Sequence, residues 1–193
     1  MFGRMELMLQ AGKEKRVSPE LALLAGLSYF LSTIEYMIPK PLPFIRLGIA
    51  NLALMLGIDI LSFPHFLLLV FLKVLGQAVI SGSLFSYVFL FSVGGTLSSA
   101  LCMYGLRKLI PPSLMGFTGI STVGALVSNG VQLFMARFII FGESALYLAP
   151  PVLLFGLVTG FALGTFCEFF ISHSRWYHAV FIKRDTHESN STF

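Results

Sequence analysis

Apolar residues run in long blocks along this chain, and short polar or proline-rich stretches divide them. Crossing the hydrocarbon core of a bilayer, about 30 Å, takes roughly 20 apolar residues at about 1.5 Å of helical rise each. Six blocks reach or approach that length and are predicted as helices: Pro19 to Ile38, Ile45 to Leu61, Pro64 to Ile80, Leu84 to Leu106, Leu114 to Phe141 and Leu146 to Ile171. Prolines open the first and third, where the missing N–H costs nothing. The turn "PKPLP" leads into the second, "SGS" separates the third from the fourth, and "RKLIPPS" stops the fourth. The second and third blocks are short for a full span, so each either tilts little or is broken. Residues 1–18 read as a polar arm, 19–171 as the membrane domain and 172–193 as a basic tail. The first block is expected to be a retained helix and not a signal peptide, because it is long and no small-residue cleavage site ends it.

Composition agrees with that pattern. Hydrophobic residues make up 56% of the 193 positions and charged residues 11%, where a soluble domain carries about 25% charge. The net charge of +4 does not point to nucleic acid, because the basic residues sit mainly between the apolar blocks. They act as topology signals. Arg4, Lys13, Lys15, Arg16, Arg107, Lys108, Arg175, Lys183 and Arg184 fall on one side of a six-span arrangement, and Lys40 and Arg46 on the other. The expectation is an all-α integral membrane protein, a six-transmembrane-helix bundle with both termini cytoplasmic. Cys102 and Cys167 lie inside apolar runs without CxxC or CxxH spacing, so they read as packing residues, and no metal or cofactor is expected.

Against this background the polar residues inside the blocks stand out. A charge at the centre of a membrane helix costs about 2.5–3.5 kcal/mol even on the lenient insertion scale. Lys73 sits near the middle of the third block, with Gln77 one turn further on the same face. It either lines a polar cavity or pairs with a carboxylate such as Glu35. Asn129 and Gln132 share a small-residue face of the fifth block, suited either to a ligand or to bonds between helices. Arg137 is nearer the outer end, where its side chain can also reach the interface. Glu35 ends the first block and Arg46 opens the second, as ligand-binding groups or as an ion pair closing that hairpin. Asn51 lies deeper. On the six-span arrangement these residues occupy the middle or outer half. That suits a site loaded from outside, and three cations against one carboxylate favour a small ligand with an anionic group.

Small residues mark packing faces. Gly156, Gly160 and Gly164 recur every four residues in the sixth block, which lets two backbones approach closely. Ala22 and Gly26, with Ala25 beside them, form a looser version in the first.

The segments "RLGIANLALML" (46–56), "LKVLGQAVISGSLFS" (72–86), "FSVGGTLSSALCM" (91–103), "VGALVSNGVQL" (123–133) and "PPVLLFGLVTGFALG" (150–164) together resemble the heptaprenyl diphosphate synthase component I family, also called the Gx transporter family. The resemblance covers about Pro19 to Ile171 and rests on the order and spacing of these segments. That family is similar to the S components of energy-coupling factor transporters, six-helix subunits of the bacterial cytoplasmic (inner) membrane that capture vitamins or related small molecules. S components pass them to a membrane T subunit driven by two ATPases. By this resemblance Ala22, Ala25 and Gly26 would face the T subunit. The candidate ligand-binding residues are those read above from their polarity within apolar blocks: Glu35, Arg46, Asn51, Lys73, Gln77, Asn129, Gln132 and Arg137.

Three functions compete. The first is an S-component-like binding subunit for a small anionic or vitamin-like molecule. The second is an accessory subunit in isoprenoid or quinone metabolism, with the cations holding a diphosphate. The third is a structural subunit of a membrane redox or transport complex. Catalysis as a prenyl synthase by itself is not expected. That chemistry needs aspartate-rich metal motifs, and the sequence has two distant aspartates, Asp59 and Asp185, and no phosphate-binding loop.

Overall fold

The computed structural model describes residues 19–39, 47–175, 177 and 179. These residues form six α-helices: α1 Pro19–Met37, α2 Asn51–Ile60, α3 Phe63–Ile80, α4 Tyr87–Leu109, α5 Phe117–Ala136 and α6 Ala145–His173. A π-helical turn, Arg137–Phe141, and a 3-10 turn, Gly142–Ser144, join the last two. Three helical stretches are long and apolar enough to cross a membrane: Phe63–Ile80, Tyr87–Leu109, and Phe117–His173, which contains both α5 and α6. The N-terminal arm, Lys40, Arg46 and most of the tail lie outside the described residues.

The surface and the interior have exchanged their usual characters. Phe30, Phe71, Phe134, Phe161 and Phe169 are each more than half exposed, while Glu35 is 1% and Lys73 3% exposed. In water this arrangement would leave a large apolar surface uncovered. In a bilayer the phenylalanines meet lipid and the polar groups meet one another. This is a membrane protein with transmembrane helices.

The second block departs most from the sequence expectation. Its helix starts at Asn51 and ends at Ile60, ten residues, or about 15 Å of rise and half the hydrocarbon core. The cause lies on α1, at Glu35. The Glu35 carboxylate accepts the backbone N–H of Gly48 at 3.3 Å and that of Ala50 at 3.3 Å, fixing where the turn ends. Gly48 has φ +78, which suits glycine. A carboxylate is also favoured against the positive end of the helix that follows. Eight of the ten α2 residues are buried, and α2 packs against α1, α3, α4 and α6. It forms the middle of the bundle, with Leu24, Leu54, Met55, Phe66 and Leu69 in the surrounding core.

The glycine row of α6 packs within the chain. A Cβ at Gly160 would stand 2.8 Å from Ala125 Cβ and 2.9 Å from Thr122 Cα, and one at Gly164 would stand 2.5 Å from Thr118 Cα. At Gly156 it would strike the Asn129 side chain. On α1, Ala25 is buried, while Ala22 and Gly26 are exposed and a Cβ at Gly26 would meet nothing within 4 Å.

Gly160→Leu is therefore expected to prevent α5–α6 docking and remove the cooperative thermal transition in detergent. Gly26→Ala should hold or raise the midpoint, since alanine gains up to about 1 kcal/mol in a helix interior. A melting series on the two variants distinguishes the faces.

Candidate functional site

Five helices bring polar groups to one cavity. On α3, Lys73 and Gln77 are four residues apart and both are buried. Lys73 Nζ donates to Asn51 Oδ1 at the head of α2, at 2.6 Å, and to Thr96 Oγ1 on α4, at 3.4 Å. Asn129 on α5 is 3% exposed, and its Nδ2 donates to the backbone oxygen of Val152 on α6 at 3.2 Å. Glu35 closes the wall from α1. The cavity bounded by Glu35, Asn51, Lys73, Gln77, Thr96 and Asn129 holds about 20 Å³, and about 10–15 Å³ suffices for one water. Gln77 Oε1 is buried and has no hydrogen-bond partner among the described residues. A bare acceptor in such a place calls for a donor.

Of the site residues read from the sequence, Glu35, Asn51, Lys73, Gln77 and Asn129 meet at this cavity. Gln132 is buried beside it and donates from Nε2 to Ser128 Oγ at 3.2 Å. Arg137 is placed elsewhere: its guanidinium pairs with Glu143 at 2.6 Å, with side chains 40% and 78% exposed. Arg46 lies outside the described residues. Ala125, on the same small-residue face as Asn129, also lines the cavity, and Thr96 and Ser128 line it without having been singled out from sequence. Small and neutral, they carry no cost signal in an apolar block. The polar spacing of Ser92, Thr96 and Ser99 along one helix face was the clue available.

A second polar cluster sits at the other end of α2. Arg107 grips Asp59 with two bonds, Nε to Oδ1 at 2.9 Å and Nη2 to Oδ2 at 2.6 Å, and its guanidinium lies 4.6 Å from the centre of the Phe117 ring. Tyr177 of the tail donates from its hydroxyl to Asp59 Oδ2 at 3.3 Å. Burial, then the charge of Asp59 and this bond, hold the Tyr177 phenol above its ordinary range. The sign follows. The neutral phenol is the form that docks, so this contact is fully present below the ordinary tyrosine pKa of about 10 and is lost as pH climbs through the raised value. Glu168 on α6 does for α5 what Glu35 does for α2, accepting Thr118 N–H at 3.0 Å.

The family model for heptaprenyl diphosphate synthase component I matches residues 24–170, a stretch that contains every described residue of the cavity. No curated protein and no solved structure matches the chain.

Glu35→Ala leaves the Gly48 and Ala50 N–H groups without their acceptor, at a cost of about 1–3 kcal/mol for each buried unpaired group. Glu35→Gln retains one carbonyl acceptor and should lose less. Unfolding by denaturing detergent, followed by circular dichroism, is expected to rank wild type above Gln above Ala.

Proposed function

The chain belongs to the heptaprenyl diphosphate synthase component I family, and from that premise we propose that it is a membrane-embedded binding subunit, S-component-like, that captures a small anionic or vitamin-like molecule. The observation that carries this reading is the convergence of Lys73, Asn51, Gln77 and Asn129 on one enclosed cavity inside an apolar bundle. Intramembrane ionisable groups of this kind mark ligand or ion pathways. Lys73 is the cationic side chain on the cavity wall, and a cation there suits an anionic moiety. The bundle is read as six spans with both termini in the bacterial cytoplasm, and the site as opening outward, where the basic residues are fewest. A vitamin-sized solute needs about 300 Å³ or more. Capture therefore includes a movement of the short α2 and its Gly48 turn away from α5. Uptake would then depend on partner ATPases and a T subunit, with the open Ala22 and Gly26 face of α1 as the docking side.

One observation favours the second reading, an accessory subunit in isoprenoid metabolism. An entirely apolar cleft of about 200 Å³ lies between α1, α2 and α6, lined by Leu27, Leu31, Leu52, Leu56, Phe166 and Phe170. Leu31 is one turn from Glu35, and Leu52 follows Asn51. On this reading a hydrocarbon tail would lie in this cleft and a charged head toward Lys73, once the water-sized polar cavity opens.

Purified protein in nanodiscs, screened by native mass spectrometry against flavins, other vitamins and isoprenoid diphosphates, is expected to retain one ligand class without ATP. Lys73→Ala should weaken that binding at least about tenfold, the loss of one charge-assisted hydrogen bond. If nothing binds, the capture reading fails. Co-purification with a soluble aspartate-rich synthase, raising its activity, would establish the second.

A further inference from the structure

Some hydroxyl groups in this bundle find a backbone acceptor on their own helix and some do not. Thr33, Thr122, Thr159 and Thr165 each turn back to the carbonyl four residues earlier on their own helix, at 2.7–3.0 Å. Four serines do not. Ser28, Ser32, Ser92 and Ser99 are fully buried, and their Oγ atoms have no hydrogen-bond partner among the described residues. A serine in a helix has the same carbonyl within reach of a rotamer change, so these side chains are held toward the interior. An unmade bond there costs more than the bond is worth, and small polar cavities in proteins are met by bound water.

The spacing on α4 gives this polarity a direction. Ser92, Thr96, Ser99, Met103 and Arg107 follow one another at intervals of four, three, four and four, one face of a helix. Ser92, Thr96, Ser99 and Met103 are each 3% exposed or less. Thr96 accepts from Lys73 Nζ and lines the cavity, and the unpartnered Ser99 Oγ lies about 4.5 Å of rise further along the same face. Met103 comes next. Its Sδ and Ser99 Oγ press on the same point of α5, 2.6 Å and 3.1 Å from where a Cβ of Gly124 would stand. One turn further, Arg107 is locked to Asp59.

We propose that the Lys73 cavity continues as a file of bound water along the Ser92–Thr96–Ser99 face of α4, and that Met103, seated against Gly124, closes this file before the Arg107–Asp59 pair. The ligand class is water and the protons it relays. An unbranched thioether with three rotatable bonds is suited to such a barrier. The proposal does not depend on which solute occupies the site.

Radiolytic hydroxyl-radical footprinting in nanodiscs reads bound water directly. Met103 and Met55 are both 1% exposed, but Met55 lies in the apolar core around α2. Met103 is expected to oxidise several-fold faster than Met55, and a Ser92→Ala, Ser99→Ala double variant with an unchanged melting midpoint should bring it down to the Met55 rate. Equal rates in the wild type overturn the water file. In proteoliposomes under a pH gradient, Met103→Ala should raise proton flux several-fold while Met103→Leu stays at the wild-type level. A Met103→Ala protein as tight as wild type overturns the assignment of Met103 as the barrier.

Discussion

An ammonium group inside hydrocarbon has to be met by oxygen atoms that other helices hold in place, because lipid supplies none. Lys73 imposes that condition here. Its Nζ reaches Asn51 at 2.6 Å and Thr96 at 3.4 Å, so α2, α3 and α4 must lie at fixed heights relative to one another. Asn51 can present its oxygen because α2 begins at that residue. The helix begins there because Glu35 captures the two N–H groups of the preceding turn. One carboxylate on α1 thus sets the position of the lysine's partner on α2, and the burial of α2 on nearly every side follows from the same anchoring.

Much of this was legible in the sequence, for a physical reason. A charge or carboxamide in an apolar block is expensive, so Glu35, Asn51, Lys73, Gln77 and Asn129 announced themselves, and they meet. Arg137 shows the limit of that signal. Near a helix end a guanidinium has a cheaper partner in Glu143, and depth along the block does not reveal which way the helix is turned. Thr96 and Ser128 were silent because neutral hydroxyls cost little. The length of α2 was hidden because its start is set by a residue sixteen positions earlier, Glu35, an interaction that no local pattern contains. The glycine row of α6 was legible as a close-packing face, while its partner, α5, emerged only from the fold.

The structure also changes the charge balance of the site. With Arg137 turned to the surface, Lys73 supplies the cation and Glu35 the carboxylate among the described residues that line the cavity. Under the capture reading proposed above, one cation on the wall matches a solute with a single anionic group better than a highly charged one. The space is water-sized, so that reading requires the site to open, and the ten-residue α2 is the piece it assigns to that movement. At its far end the Asp59–Arg107–Tyr177 cluster ties the same helix to α4 and to the tail. The Lys73 bond at Asn51 and the Tyr177 contact at Asp59 therefore bear on the two ends of one short helix.

The central claim is that Lys73 and Asn51 form one energetic unit inside the membrane. A double-mutant cycle on Lys73→Met and Asn51→Leu, read as unfolding free energy in detergent, measures it directly. The account predicts a coupling of about 1.5–3 kcal/mol, the value of a hydrogen bond to a charged group. Effects that add within about 0.5 kcal/mol would contradict it, since the two side chains would then be neighbours without being partners.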